Sequence, residues 1–206
     1  MNRDLTKGNI TKTMLLFALP MIAGNILQQF YNIADTFIVG KFLGAEALAA
    51  VGSSYALMIF LTSILLGLCM GSGVLFSIRF GERNEEKLKS SIFVSFFLIL
   101  AVTVVINIFS FVFINKIINF MRIPENIFKI TKDYLWIIFF GIDFTFLYNF
   151  FASLLRALGN SVVPLIFLAI SAITNIFLDL WFVIGLGWGV KGAGGATVIA
   201  QGISGV

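Results

Sequence analysis

The sequence has no histidine and a single cysteine, Cys69. These two absences exclude disulfide frameworks, zinc clusters and histidine-based catalysis, so any proton or cation chemistry has to use carboxylates. Charge is scarce as well: Asp, Glu, Lys and Arg make up 12% of the 206 residues, where a soluble domain has about 25%. Hydrophobic residues reach 59%, and phenylalanine alone accounts for 24 positions. A globule of this composition could not cover its surface with polar groups, so lipid must be the solvent for most of the chain. The net charge is +4. Basic residues gather between the apolar stretches, the pattern of membrane orientation rather than of nucleic-acid binding, and no nucleic-acid partner is expected.

A membrane-spanning helix needs about 20 apolar residues. Five such runs are complete, at about 14–43, 48–80, 91–120, 131–155 and 162–186, and a sixth begins near 193 and stops with the chain at 206. The reading is therefore an all-α polytopic membrane protein: one lobe over 1–206, with an incomplete sixth helix, as though it were half of something larger. Residues 1–19 do not read as a secretory signal, because their apolar stretch runs on past any small-residue cleavage site. Arg3, Lys7 and Lys12 precede the first helix, and the loop 79–89 holds Arg79, Arg83, Lys87 and Lys89. Both segments read as cytoplasmic, although Lys116, Arg122, Lys129 and Lys132 on the opposite side weaken the bias. Gly185 to Gly192 reads as a tight external hairpin with Trp181 and Trp188 near the interface. Gly67 and Gly71 offer a small-residue face on which helix two could pack closely.

Three acids sit deep inside the apolar runs, away from their ends: Asp35, Asp143 and Asp179. A charge at membrane depth costs roughly 2.5–3.5 kcal/mol on insertion scales, so each marks a candidate functional position. Asn25, Gln28, Gln29, Asn32, Asp35 and Thr36 recur at three- and four-residue steps, forming a polar stripe that must face a wet cavity or other helices. Ser171, Asn175 and Asp179 repeat the pattern at steps of four. The competing structural reading is ordinary interhelical hydrogen bonding by Ser and Asn. With the N-terminus inside, odd helices run outward and even helices inward. Asp35, Asn175, Asp179, Tyr134 and Thr197 then all fall in the outer half of the membrane, which suggests a shared site. Asp143 lies nine residues after Tyr134, roughly opposite it on a straight helix. It is expected outside that site, at another helix contact or lining the cavity with Gln28 and Asn32.

Several segments together carry a family likeness. Phe17-Ala18-Leu19-Pro20 opens the first helix, and Tyr31-Asn32-Ile33-Ala34-Asp35-Thr36-Phe37-Ile38-Val39-Gly40 follows. Gly81-Glu82-Arg83-Asn84 occupies the first cytoplasmic hairpin, and Leu155-Arg156-Ala157-Leu158-Gly159-Asn160-Ser161 precedes Pro164. Thr174-Asn175-Ile176-Phe177-Leu178-Asp179 and Gly192-Ala193-Gly194-Gly195-Ala196-Thr197 complete the set. The chain resembles the first of the two six-helix lobes of the multidrug and toxic compound extrusion (MATE) family. The resemblance implies a twelve-helix transporter whose C-terminal lobe is missing here. It further implies a cation site for Na+ or H+ at Asp35, Asn175, Asp179 and Thr197 with Tyr134 close by, and no other cofactor. Pro20 would be the helix-one proline whose bending is linked to protonation in some members. It lies roughly 22 Å along the helix from Asp35 at 1.5 Å per residue, so the two serve different depths. One departure is Asp143, where relatives commonly carry proline.

The expected function is export of organic cations by antiport in a bacterial inner membrane, with lipid around the helices and the N-terminus cytoplasmic. Alternatives are a lipid-linked flippase of the same superfamily, which would show a more basic cavity, and an inactive half-transporter. An intramembrane aspartyl protease would need Tyr-Asp and Gly-x-Gly-Asp, whereas the acids here follow Ala34 and Leu178; no enzyme activity is expected.

Overall fold

In a hydrocarbon solvent every backbone polar group must be satisfied internally, and helices do this within one segment. The computed structural model describes residues 10–205, and they are arranged accordingly. Arg3 and Lys7 lie outside the described residues. The helices are α1 (Ile10–Leu43), α2 (Ala45–Gly81), α3 (Glu85–Val112), α4 (Ile114–Phe120), α5 (Glu125–Ile138), α6 (Gly141–Ala157), α7 (Val162–Asp179) and α8 (Gly189–Gly205), with a six-residue π-helical segment, Leu180–Gly185, continuing α7. Four helical stretches are long and apolar enough to cross a membrane alone, and α5 with α6 forms a fifth across a 43° bend. The chain is a multi-pass membrane protein.

The apolar runs at 91–120, 131–155 and 162–186 are not straight helices. The third breaks at Phe113, whose φ of −102° and ψ of 12° leave the helical region. The fourth breaks at Phe139 and Phe140, where the N–H groups of Phe140 and Ile142 turn to carbonyls three residues back. The fifth widens into the underwound π segment. By contrast α1 continues through Pro20, where the proline removes one backbone donor. The loop after α2 is stitched locally: Arg79 pairs with Glu82 at 2.9 Å. Asn84 caps α3, its side-chain oxygen accepting from the Lys87 N–H at 3.0 Å, and Glu85 and Glu86 follow in the first turn, where acids suit the helix dipole.

Two cores hold the bundle. The larger joins α2, α3 and α6 through Leu65, Cys69, Phe76, Ile99, Phe146 and Phe150. Its rings meet edge-on: Phe76 and Phe96 lie 5.8 and 5.2 Å from Phe150. The smaller gathers Ile38 and Val39 of α1, Val51 of α2, Tyr134 and Ile138 of α5, Val183, and Ala193 of α8. It is this second core that brings α1, α2, α5, the π segment and α8 to one place. Gly67 and Gly71 do not form the packing face expected of them. A Cβ at either would have no neighbour within 4 Å, and α2 approaches its partner instead at Gly73, against Ser153.

Candidate functional site: an acid pair between α1 and α7

Asp35 and Asp179 come from helices that pack side by side, and their carboxyls lie within electrostatic reach of each other. Asp179 is fully buried at the end of α7, one residue before the π segment, and Asn175 one turn earlier is 1% exposed. The four-residue step places both on the α8 side of α7. The Asn175 amide Nδ2 donates to Thr197 Oγ1 at 3.3 Å, while Thr197 donates to the Ala193 carbonyl at 3.1 Å. Ser171, the third member of the stripe, donates to the Ala200 carbonyl at 2.7 Å and fastens α7 to α8. That bond is the ordinary interhelical kind, whereas the other two members carry oxygens that no donor among the described residues reaches.

Those oxygens are Asp35 Oδ1, Asn175 Oδ1 and both carboxyl oxygens of Asp179, all buried. Buried acceptors are ordinarily paired, and two facing carboxylates repel one another unless positive charge lies between them. The donor set is two carboxylates, a carboxamide oxygen and a hydroxyl; hard oxygen ligands of this kind suit a small hard cation, and the carboxyls alone could share a proton. The residues present therefore fit the coupling ion that the resemblance implies.

Two tyrosines belong to the cluster. Tyr134 of α5, 7% exposed, lies within electrostatic reach of Asp35, Asp179 and Tyr31. Tyr31 of α1 lies within reach of both acids and of Tyr55 on α2. Tyr31 was not selected from the sequence as a site residue, although its four-residue step from Asp35 puts both on one helix face. Tyr55 carries no such signal, since its approach depends on how α2 is set against α1. Gly194 admits the tyrosine to α8: a Cβ there would stand 3.5 Å from Tyr134 Cδ2 and 3.3 Å from Ile137 Cγ2.

The remaining candidates lie elsewhere. Gln28 is exposed and Asn32 half-buried. Asn32 donates to Gln29 at 3.4 Å and its carbonyl accepts from Thr36 at 2.8 Å. With Asn25, these residues make an open polar face on α1 beside the acid pair. Pro20 is more than three turns away toward the other end of α1. Asp143 is apart from the cluster, on α6 just beyond the bend, where it accepts from Asn107 of α3 at 2.9 Å.

The MatE family model matches residues 20–181. The chain belongs to the MatE family. Among MatE relatives, the probable multidrug resistance protein YpnP of Bacillus subtilis is 32% identical over 98% of this chain, and the probable multidrug resistance protein NorM of Thermotoga maritima is 28% identical over 93%. The chain spans 45% and 42% of their respective lengths. Solved structures give the same proportion. An outward-facing multidrug resistance MATE transporter superposes with a TM-score of 0.90 at 26% identity, covering 96% of this chain and 44% of that one. A transporter of the MOP superfamily from Pyrococcus furiosus, described as having a binding pocket of reversed polarity that suggests a different function, superposes with a TM-score of 0.91 at 27% identity, over 98% and 44%. The described helices are thus the N-terminal lobe of a MatE fold.

Proposed function

We propose that the chain supplies the ion-coupling lobe of an antiporter that exports organic cations. The observation that supports this most directly is the facing pair Asp35 and Asp179, with four buried oxygens that no donor among the described residues reaches. Na+ or H+ would enter between the carboxyls, with Asn175 and Thr197 supplying neutral oxygen. An organic cation and the coupling ion would compete for the same negative charge. Inward ion flow would then drive cargo outward by alternating access, with a second lobe forming the opposite wall. The open polar face of α1 would line the aqueous path. In this reading the N-terminus and the Arg79–Lys89 loop are cytoplasmic, and the membrane is the bacterial plasma membrane.

A lipid-linked flippase would call for a basic cavity, whereas the charged side chains of this cluster are both acids. The test uses the two-lobe protein in proteoliposomes, with ethidium efflux driven by an imposed Na+ or pH gradient. Asp35→Asn and Asp179→Asn should each abolish gradient-driven efflux. Normal efflux in both variants would overturn the proposal.

A further inference from the structure

Asp143 is the one of the three deep acids that the acid pair does not absorb, and its surroundings are specific. Asn107 of α3, 8% exposed, uses its carboxamide nitrogen twice: toward the Phe139 carbonyl at 3.2 Å and toward Asp143 Oδ2 at 2.9 Å. The first bond serves a carbonyl at the α5–α6 break. The second ends on a carboxyl where any neutral acceptor would hold the amide equally well, so the break does not require an acid at this position. Asp143 lies roughly 27 Å from the start of α5 and 21 Å from the end of α6 at 1.5 Å per residue. That puts it near the middle of a hydrocarbon layer about 30 Å thick. A carboxylate at such a depth is retained where a partner offsets its cost. None of the ion pairs formed among the described residues involves Asp143. The basic side chains of α3, Lys87 and Lys89, belong to its first turns, far along the helix, and the Lys116 ammonium of α4 lies over the Phe113 ring.

Beside this carboxyl a pocket of about 220 Å³ opens between α3 and α6, lined by Val104, Asn107, Ile108, Phe111, Phe140 and Asp143. Its rim is apolar and exposed: Val104 is 43%, Ile108 58% and Phe140 51% accessible. In a membrane protein such a rim meets acyl chains. The pocket also stands away from the acid pair, because α3 packs on α2, α4 and α6, whereas α1 packs on α2, α7 and α8. Drug-sized ligands occupy about 300–1,000 Å³, so this volume suits a headgroup whose tail remains outside. Phe111 and Phe140, whose ring centroids lie 4.9 Å apart, line the pocket beside the carboxylate, and both the carboxylate and the ring faces attract a cation.

We propose that the α3–α6 pocket is a lateral binding site for a lipophilic ammonium ion, whose charged head rests on Asp143 beside the paired rings of Phe111 and Phe140 while its alkyl tail lies in the surrounding lipid. The site is entered from the hydrocarbon and is separate from the acid pair, so it does not rest on exchange at Asp35 and Asp179.

The test is photolabelling of the intact protein in its membrane with an alkyltrimethylammonium carrying a diazirine near the nitrogen, followed by peptide mapping. A neutral alkyl diazirine serves as the control. Saturable adducts should concentrate on residues 104–111 and 140–143 for the cationic probe only. Asp143→Asn, which keeps an acceptor for Asn107, should lower that labelling at least tenfold, while Asp35→Asn should leave it intact. Ile108→Trp, which narrows the mouth without touching the carboxyl, should lower it as well. Equal labelling by the charged and neutral probes would overturn the site, as would undiminished labelling in Asp143→Asn or loss of labelling in Asp35→Asn instead.

Discussion

Asn175 shows how one hydrogen bond sets the chemistry of a neighbour. Its amide nitrogen is engaged by Thr197, and the carboxamide is thereby turned so that its oxygen is left for a cation. Thr197→Ala should therefore raise the Na+ or H+ concentration needed for half-maximal efflux by about tenfold, the usual effect of removing a group that orients a ligand, with the maximal rate changing less. A titration of the driving ion in proteoliposomes would read this; an unchanged half-saturation would mean that Thr197 does not orient the amide. Gly192 is constrained differently. A Cβ there would meet Phe182 Cβ at 3.1 Å and its backbone carbon and oxygen at 3.2 Å, and backbone cannot move aside as a side-chain tip can. Gly192→Ala should cost about 1–3 kcal/mol of stability, measurable as a lowered thermal unfolding midpoint in detergent. At this scale the acids stand out in the sequence because a carboxylate deep in an apolar run is costly and therefore rare. Tyr31 does not, because a membrane tyrosine is commonplace and only its distance from Asp35 and Asp179 distinguishes it.

Among the elements, hydropathy reveals where a helix runs but not where it breaks. Neither break carries a proline: Asn115 and Lys116 follow the one at Phe113, and Gly141 and Asp143 follow the one at Phe139–Phe140, too few polar or small residues to interrupt the apolar run. The bend of 43° follows from tertiary packing of α5 on α2 and α8 and of α6 on α2, α3 and α8. The π segment after Asp179 is equally silent in the sequence, although its consequence is visible: Trp181, Phe182 and Trp188 stack at 5.7 and 4.9 Å, and the hairpin turns at Gly187 and Gly189, with φ of 63° and 59°. The helix ends give a quantitative expectation. Arg122, just after α4, holds a φ of 53°, in the left-handed region where a Cβ is penalised. Arg122→Gly should stabilise the protein by roughly 0.5–1 kcal/mol, and a raised unfolding midpoint would show it.

The whole molecule is most clearly seen along α1, which carries three faces. Gly24, Ile38 and Val39 are buried against the bundle, while Ile22, Ile26, Phe30, Ile33 and Phe37 form an exposed apolar stripe. Asn25, Gln28, Gln29 and Thr36 form an exposed polar one. A helix surrounded only by lipid would not keep the last. With Cys69 replaced by serine, a cysteine at Gln28 in the two-lobe protein should react with a charged, water-soluble maleimide, and a cysteine at Ile33 should not. Equal protection of both would mean that the polar face is sealed rather than wet. The lobe itself was legible from six apolar runs and from the spacing of the motifs, and the fold follows that outline. Less legible was which helix faces meet, because a composition so uniformly apolar encodes little angular preference. Gly67 and Gly71 offered the sort of small-residue pattern that normally marks a contact, yet they face open space here.

The acid pair also has a consequence in time. Its halves are separated by roughly 140 residues, and ribosomes add about 5–20 residues per second. Asp35 therefore enters the bilayer on the order of ten seconds or more before Asp179 exists. Through that interval α1 stands in the membrane with a carboxyl that lacks the acid it later faces. The arrival of α7 brings the Asp35 carboxyl its facing acid, so the coupling cluster of this lobe is assembled only near the end of its synthesis.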